Sequence, residues 1–184
     1  MNSNPQSITT RTGDQGKTRL FSGEEVSKKS PRTDAYGDLD ELVSILGVAR
    51  SLSENDEVSS AVLVLQRQLF LAGAEMATSG KSTGLLKGRI GQGHIEDIDK
   101  RLESLESRIR MPGGFIIPGG TPSAANLDLS RSVVRRVERR AVGLKEDGKL
   151  DNDALLIWLN RLSDYLWLLA RLEEGGRTIC KDAE

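Results

Sequence analysis

Apolar residues recur at helical spacing through most of the chain, and this periodicity constrains the fold more than any other feature. From about Asp34 onward they return every three or four residues, and no long stretch alternates with the period of a strand. Mostly short polar or Gly/Pro-containing breaks separate five such stretches, which favours antiparallel neighbours. The sequence predicts an all-α, five-helix up-down bundle, with helices marked by residues 36–46, 58–76, 95–109, 121–144 and 153–173.

The chain is predicted to form one domain. Its 184 residues suffice for one hydrophobic core, and no linker or internal repeat divides them. Residues 1–33 lie outside the helical pattern and are expected to form an irregular segment preceding the bundle of residues 34–174. Residues 79–93 are rich in Gly, Ser and Lys and predict a loop.

Charge and targeting signals exclude several classes of protein. The 26 Lys+Arg nearly balance the 27 Asp+Glu, so nothing attracts the whole chain to nucleic acid or to an anionic membrane. The most apolar segment, 154–172, contains Arg161 and Asp164 at its middle, which favours a bundle helix over a membrane span. Cys180 is the only cysteine and no signal peptide is recognisable, so we expect a cytoplasmic protein or the matrix form of an imported one.

A glycine-containing loop near the start, T-R-T-G-D-Q-G-K-T at residues 10–18, is a candidate anion site. Gly13 and Gly16 allow successive backbone N–H groups to turn toward an anion, and Lys17 adds a donor. The loop is not a P-loop, because Arg11 occupies the position where that motif requires glycine. A plain turn is the alternative interpretation.

The fourth predicted helix carries a cluster of arginines beside its apolar face. Arg131 and Arg135 are four residues apart, and at ~100° per residue they lie with Glu138 at the shoulder of that face. Two guanidinium groups one turn apart suit adjacent phosphates. The alternative is a solvated, salt-bridged surface. Three further arginines are predicted to point toward solvent or a neighbouring subunit: Arg136, Arg139 and Arg140.

Other polar or exposed positions have two interpretations each. Asn160 and Arg171 belong to a polar stripe on the last helix, which predicts either ligand contacts or a structural network with the fourth helix. Phe115 lies on a turn before Gly119 and Gly120, where it either plugs the bundle or projects into a pocket. His94 is expected either to cap a helix or to lie at the surface, and one histidine with one cysteine cannot form a zinc site.

Five motifs, in order and spacing, resemble the PduO-type ATP:cob(I)alamin adenosyltransferases across roughly residues 8–172. They are T-R-T-G-D-Q-G-K-T, P-R-T-D-A-Y-G-D-L-D-E-L, F-I-I-P-G-G-T, R-S-V-V-R-R-V-E-R-R and L-N-R-L-S-D-Y-L. The resemblance implies transfer of the 5′-deoxyadenosyl group of ATP to the cobalt of reduced cobalamin. It further implies Mg²⁺, a homotrimer with active sites between subunits, and two candidate protein partners, a reductase and an adenosylcobalamin-dependent enzyme.

The resemblance also assigns roles to particular residues. Phe115 corresponds to the aromatic residue that crowds the lower face of the corrin, and Asp40 to an acidic residue that pairs with Arg131 across the subunit interface. Arg131 and Arg135 correspond to essential arginines, which completes the predicted catalytic set. The predicted ATP-binding residues are Thr10, Arg11, Thr12, Gly13, Thr18, Arg19, Lys28, Arg135, Arg136, Glu138, Arg139 and Asn160.

Three departures from the family pattern keep a second function open. Asp128 replaces a common histidine, Val43 replaces a common asparagine, and the tail after Arg171 is short. Asp128 falls near Arg135 on the helical wheel, where it could partly neutralise a phosphate site or change contacts with the corrin. The alternative function is a non-catalytic corrinoid carrier or chaperone on the same bundle. A helical module that binds an acidic partner is a third interpretation, disfavoured by the near-zero net charge and the glycine loop.

Overall fold

The described residues of the protein fold as a bundle of five α-helices with two very small sheets. The structure, a computed structural model, describes residues 9, 11 and 13–181, with the backbone alone at 80 and 81. The helices are α1 (Pro31–Leu52), α2 (Asp56–Met76), α3 (Gln92–Glu106), α4 (Pro122–Glu146) and α5 (Asp153–Glu174). The predicted all-α, five-helix fold is therefore confirmed.

Side-chain caps explain where four of these helices begin. A side-chain oxygen just before each helix accepts a hydrogen bond from a backbone N–H of its first turn, which satisfies a donor that has no partner within the helix. The capping residues are Ser30, Asn55, Thr121 and Asn152. Before α3, His94 Nδ1 accepts from the N–H of Gly91 at 3.1 Å, so its predicted capping role is confirmed.

The helices pack in a defined order around one core. α1 lies between α2 and α4, α4 also contacts α5, and α5 contacts both α3 and α2. α1 and α4 are antiparallel, since Ser123 at the start of α4 donates to Ala49 O and Arg140 near its end lies beside Asp34. The core is built from fully buried side chains that include Leu42, Leu46, Leu69, Leu127, Trp158 and Leu162.

Two short antiparallel strand pairs lie outside the helices. β1 (Lys17–Arg19) pairs with β2 (Glu25–Ser27), with Thr18 opposite Val26. β3 (Ile116–Ile117) pairs with β4 (Ile179–Cys180), with Ile116 opposite Cys180. Strands of two or three residues are too short to show alternation, which is why periodicity alone does not predict them.

Helix boundaries depart from the predicted ones in three places. α1 begins at Pro31, ahead of Asp34, because Ser30 supplies a cap and proline suits the first turn. α3 ends at Glu106, so Ile109 packs against the core from outside the helix. Within the predicted loop of residues 79–93, Gly80–Leu85 form a 3₁₀-helix. Among the described residues, no helix combines the length and apolarity needed to span a bilayer.

Candidate active site

Two arginines of α4 are paired with carboxylates of α1. Arg136 Nε lies 3.2 Å from Asp38 Oδ2, and its Nη2 contacts Glu41 Oε2. Arg140 lies 3.5 Å from Asp34 and 3.4 Å from Asp38. Arg140 is exposed, as predicted, and Arg136 is half-buried. Both also pair with α1, which the sequence did not predict, because the acidic first half of α1 packs against the second half of α4.

Arg131 and Arg135 lie on the same helix without such partners. Neither forms an ion pair or a side-chain hydrogen bond with any residue of the described chain, and Arg131 Nε is buried there with no acceptor. Arg135 is exposed, and Arg131 is half-buried. A buried donor normally has a partner, so the unsatisfied Arg131 points to an acceptor outside this part of the chain. The predicted placement at the edge of the core therefore fits the half-buried Arg131, whereas Arg135 lies at the exposed surface.

The other predicted nucleotide contacts of α4 and α5 have different surroundings. Arg139 is exposed and unpaired within the described residues. Glu138 Oε1 accepts from Asn160 Nδ2 at 3.2 Å, and Asn160 Oδ1 lies 3.4 Å from Arg161 Nη1. Asn160 therefore bridges α5 to α4 at an exposed position, where its amide also remains accessible to a ligand.

Asp128 belongs to a buried charge network and does not lie on the exposed face that carries Arg135. Its Oδ2 accepts from Arg171 Nη2 at 2.6 Å, and Arg171 in turn donates to Glu174 Oε2 at 2.9 Å. All three side chains are at least nine-tenths buried, and Arg171 Cζ lies 5.2 Å from the centroid of the Trp167 ring. Asp128 forms no ion pair with Arg135, because Arg171 holds its carboxylate inside the bundle, but its charge does interact with Arg131. Partial neutralisation of the phosphate site by Asp128 therefore stays a prediction. The network interpretation of Arg171 is confirmed.

The surroundings of Asp128 in this network change the pKa of its carboxyl group. Burial raises the pKa of the Asp128 carboxyl, and the hydrogen bond and positive charge of Arg171 offset only part of that increase. The negative charge of Glu174 raises the pKa further, whereas Arg131 lowers it. One buried arginine therefore serves two buried carboxylates.

The N-terminal loop folds back on the start of α1. Gly16 N donates to Gly13 O at 3.2 Å, and Lys28 N donates to Gly16 O at 2.9 Å. A Cβ on Gly13 would lie 3.0 Å from Lys28 Nζ, so the absence of a side chain lets the lysine approach the loop. Arg11 has a φ of 58°, an uncommon conformation for a residue other than glycine. Gly13 and Lys28, which are both predicted ATP-binding residues, are thus adjacent.

The remaining predicted residues of this segment are only partly placed. Thr18 is half-buried and Arg19 exposed, and both lie on β1. The predictions for Thr10 and Thr12 lie outside the described residues.

Asp40 lines an apolar groove between α1 and α2. The groove has a volume of about 510 Å³ and includes the exposed rings of Phe21 and Phe70. The Asp40 carboxylate is exposed and makes no hydrogen bond or ion pair with residues of the described chain. It does not contact Arg131, because the face of α1 that packs on α4 carries Asp38 and Glu41 instead.

Phe115 projects from the opposite end of the bundle. Its side chain is 83% exposed, so it is not a plug within this chain. It precedes β3 and the Pro118-Gly119-Gly120 turn, in which Gly119 has a φ of 119° that favours glycine. The structure leaves a large apolar ring facing outward beside the start of α4.

The predicted site residues do not converge within one chain. No hydrogen bond or ion pair among residues 13–181 joins the N-terminal loop, Asp40 or Phe115 to Arg131 or Arg135. The loop lies near the start of α1, Phe115 lies near the start of α4, and the arginines lie between these levels. The fold and site define a helical-bundle protein whose candidate site residues lie in separate regions of the described chain.

Comparison with known proteins identifies the family. A family profile described as cobalamin adenosyltransferase matches residues 8–173, and the chain belongs to this family. It is 36% identical to a corrinoid adenosyltransferase of Citrobacter freundii, covering 94% of this chain and 98% of that protein. It is 35% identical to the corrinoid adenosyltransferase PduO of Salmonella typhimurium, covering 91% of this chain and 50% of that longer protein.

Solved structures agree with this assignment. A variant PduO-type ATP:corrinoid adenosyltransferase from Lactobacillus reuteri, complexed with cobalamin and ATP, superposes with a TM-score of 0.85 at 30% identity. The match covers 96% of this chain and all of that one, 100%. A second variant of that type, complexed with ATP, gives a TM-score of 0.83 at 32% identity, covering 91% of this chain and 94% of that one. The predicted resemblance is confirmed.

Sequence reasoning missed two features of the site. Glu174 is fully buried, and its spacing of three residues from Arg171 was the available signal for their pairing. The groove beside Asp40 was not foreseen, because Phe21 and Phe70 come from segments whose contact is set by the fold.

Proposed function

We propose that the chain transfers the 5′-deoxyadenosyl group of ATP to cob(I)alamin and releases triphosphate. The electron pair of cobalt(I) attacks C5′, a cobalt–carbon bond forms, and the C5′–oxygen bond breaks with its electron pair leaving on triphosphate. The observation that carries this proposal is the pair Arg131 and Arg135, which form no ion pair with an acidic side chain of the described residues, although Arg136 and Arg140 of the same helix do.

The chain contributes positioning and charge neutralisation. Cob(I)alamin is itself a strong nucleophile, so the reaction needs no serine, cysteine or histidine nucleophile. Fixed donors aimed at a developing anion typically give the largest single contribution to catalysis of this kind. Arg131 and Arg135 are proposed to bind the triphosphate, and Lys28, which lies beside Gly13, is proposed to supply a further cation from the N-terminal loop.

A composite site in a homotrimer accounts for the separation of these groups. In this arrangement the N-terminal loop of one subunit meets the arginines of the next, and Asp40 pairs with Arg131 across the interface. The exposed, unpaired carboxylate of Asp40 and the unsatisfied Arg131 Nε support the pairing. The apolar groove that adjoins Asp40 is suited to burial by a second subunit.

Phe115 is proposed to lie beneath the corrin. An exposed aromatic ring on a turn can displace the lower axial base of cobalamin, which makes cob(II)alamin easier to reduce. A reductase that supplies the electron and an enzyme that uses adenosylcobalamin are the proposed protein partners, and the cytoplasm is the proposed location.

Mg²⁺ is proposed to accompany the nucleotide. No group of three or more His, Cys, Asp or Glu side chains suited to a metal occurs among the described residues. Mg²⁺ commonly keeps several waters and binds through substrate phosphates with one or two carboxylates, so it does not require a protein cage. When bound, it would neutralise phosphate charge.

The alternative function, a non-catalytic corrinoid carrier, loses its main supports. It rested on interference by Asp128 and on a short tail. Asp128 is bonded to Arg171, and the tail pairs as β4 with β3 directly after Phe115. Nothing in these contacts obstructs Arg135.

An anaerobic assay separates enzyme from carrier. Chemically reduced cobalamin, ATP and Mg²⁺ are mixed with the protein, and the absorption spectrum and the release of triphosphate are followed together. We expect stoichiometric formation of adenosylcobalamin and triphosphate over many turnovers. A spectral change upon binding, with neither product formed, would establish the carrier and reject the proposal.

A further inference from the structure

The chain segment that carries Phe115 is held by the C-terminus. Lys181 N donates to Phe115 O at 2.7 Å, and Ile116 and Ile117 pair with Cys180 and Ile179. The Phe115 ring is 83% exposed and so has little packing of its own to fix its position. The backbone contacts with the C-terminal strand are therefore the main restraint on where the ring lies.

Two consecutive glycines make the reversal that brings this strand back. Gly175 and Gly176 have φ values of 56° and 91°, which side chains rarely tolerate. The turn ends α5 and directs residues 177–181 toward Phe115. We name Glu174 and residues 177–181 the C-terminal latch.

The latch is fixed to the bundle core through Glu174. Its carboxylate is fully buried and accepts from Arg171 Nε at 2.9 Å and from the hydroxyl of Thr178. Arg171 is held in turn by Asp128 of α4 at 2.6 Å. A charge network thus connects α4 and α5 to the first residues of the latch.

The same carboxylate also supports the turn that follows β3. A Cβ on Gly120 would lie 2.9 Å from Glu174 Cδ, Cγ and Oε1, so only glycine fits there without displacing Glu174. Because Glu174 is already bonded to Arg171 and Thr178, it cannot move without loss of those bonds. Both ends of the segment 115–120 therefore contact the latch.

We propose that the C-terminal latch positions Phe115 beneath the corrin, with the Lys181 N–H and Glu174 as positioning groups. This inference rests on the proposed function of Phe115. It assigns the tail a role in the reduction-linked step: the latch sets the ring against the lower face of cobalamin, whereas ATP binding depends on groups elsewhere.

The sharpest test removes one backbone donor. Lys181→Pro deletes the N–H that bonds Phe115 O, and the extended conformation of Cys180 suits a residue before proline. Lys181→Ala is the matched control, because it removes the ammonium group and keeps the N–H. A second pair of variants is Gly120→Ala and Gly113→Ala. The added Cβ at position 120 would clash with Glu174, whereas the one at position 113 would have no atom within 4 Å.

Each variant is assayed from cob(II)alamin with a reductant and from pre-reduced cob(I)alamin, and electron paramagnetic resonance of bound cob(II)alamin reports its axial ligand. We expect Lys181→Pro to lose roughly 2- to 10-fold with cob(II)alamin, the effect of one hydrogen bond, and much less with cob(I)alamin. Gly120→Ala should show the same selectivity, with a five-coordinate cob(II)alamin signal. Both controls should match the wild type.

Phe115→Ala distinguishes failure of the latch from failure of the proposed function. If Phe115→Ala loses activity selectively with cob(II)alamin but Lys181→Pro and Gly120→Ala behave like their controls, the latch is rejected and the role of Phe115 stands. Equal losses in both assays for Phe115→Ala would overturn its role and the latch together. If only the latch variants lose activity, and lose it equally in the assays from cob(II)alamin and from cob(I)alamin, the latch has only a structural role and the proposal is rejected.

Discussion

The charged side chains of α4 fall into two groups that differ in what they contact. Asp128, Arg136 and Arg140 form ion pairs with α5 or α1, in one case deep inside the bundle and in the others at its surface. Arg131, Arg135 and Arg139 form no ion pair or side-chain hydrogen bond with the described residues. The difference teaches that the arginine content of this helix is not itself the signal for an anion site. The signal is which arginines the fold leaves unpaired.

The largest expected effect comes from breaking the buried group. Arg171→Met leaves Asp128 and Glu174 buried without their cation, and loss of one partner of a buried ion pair typically costs ~3–5 kcal/mol of stability. Arg140→Met breaks only exposed pairs, worth ~0–1 kcal/mol. Urea unfolding of both variants measures the contrast. Similar losses in the two would show that burial does not distinguish these pairs.

Removal of an unpaired arginine should affect turnover and leave folding unchanged. We expect Arg135→Ala to lower the rate by ~10²–10³, as is typical for one charge-stabilising donor, with an unfolding midpoint near that of the wild type. Arg140→Ala is the matched control on the same helix, and it should keep nearly full activity. Steady-state kinetics on folded protein checks both, and near-normal turnover of Arg135→Ala would reject its assignment to the triphosphate.

Exchange of charge across the proposed subunit interface should give an intermediate effect. Asp40→Arg or Arg131→Asp alone would place like charges together and weaken the trimer, whereas the double variant restores an opposite pair. We expect the affinity between subunits to fall roughly tenfold or more in each single variant. This effect lies between the losses expected for an exposed and for a buried ion pair, and the double variant should recover assembly in part. Light scattering measures the mass, and a fully active monomer of the wild type would contradict the composite site.

The smallest effect concerns pH. Because the folded-state pKa of Asp128 is raised above 3.8, its contribution to stability is present below that value and is lost as the pH rises through the folded pKa. Glu57 is the contrast, since a hydrogen bond from Arg108 lowers its pKa below 4.5, and its contribution is lost as the pH falls. The stability of the wild type relative to Asp128→Asn should therefore increase from pH 7 to about pH 4, and relative to Glu57→Gln it should decrease. Urea unfolding at each pH measures both differences in stability. The same change with pH in the two comparisons would refute this prediction.

Much of the fold was predictable because its signals are local. The apolar period of α5, the cap formed by His94 and the position of Arg131 beside the core depend on residues a few positions apart. The pairing of Asp128 with Arg171 was not predictable, since it joins residues 43 apart and depends on the facing of two helices. The two-residue strands β3 and β4 likewise exist only because the reversal after α5 brings them together. Long-range pairing therefore separates what the sequence predicts from what the structure adds.

Binding of inorganic tripolyphosphate tests the central claim most directly. Calorimetric titration needs neither cobalamin nor reduction, so it isolates the anion site that the unpaired arginines are proposed to form. We predict that the wild type and Arg140→Ala bind tripolyphosphate with similar affinity, and that Arg135→Ala binds it at least tenfold more weakly, equivalent to about 1.4 kcal/mol. Equal affinity in all three proteins would contradict the claim that the unpaired arginines of α4 are the phosphate site.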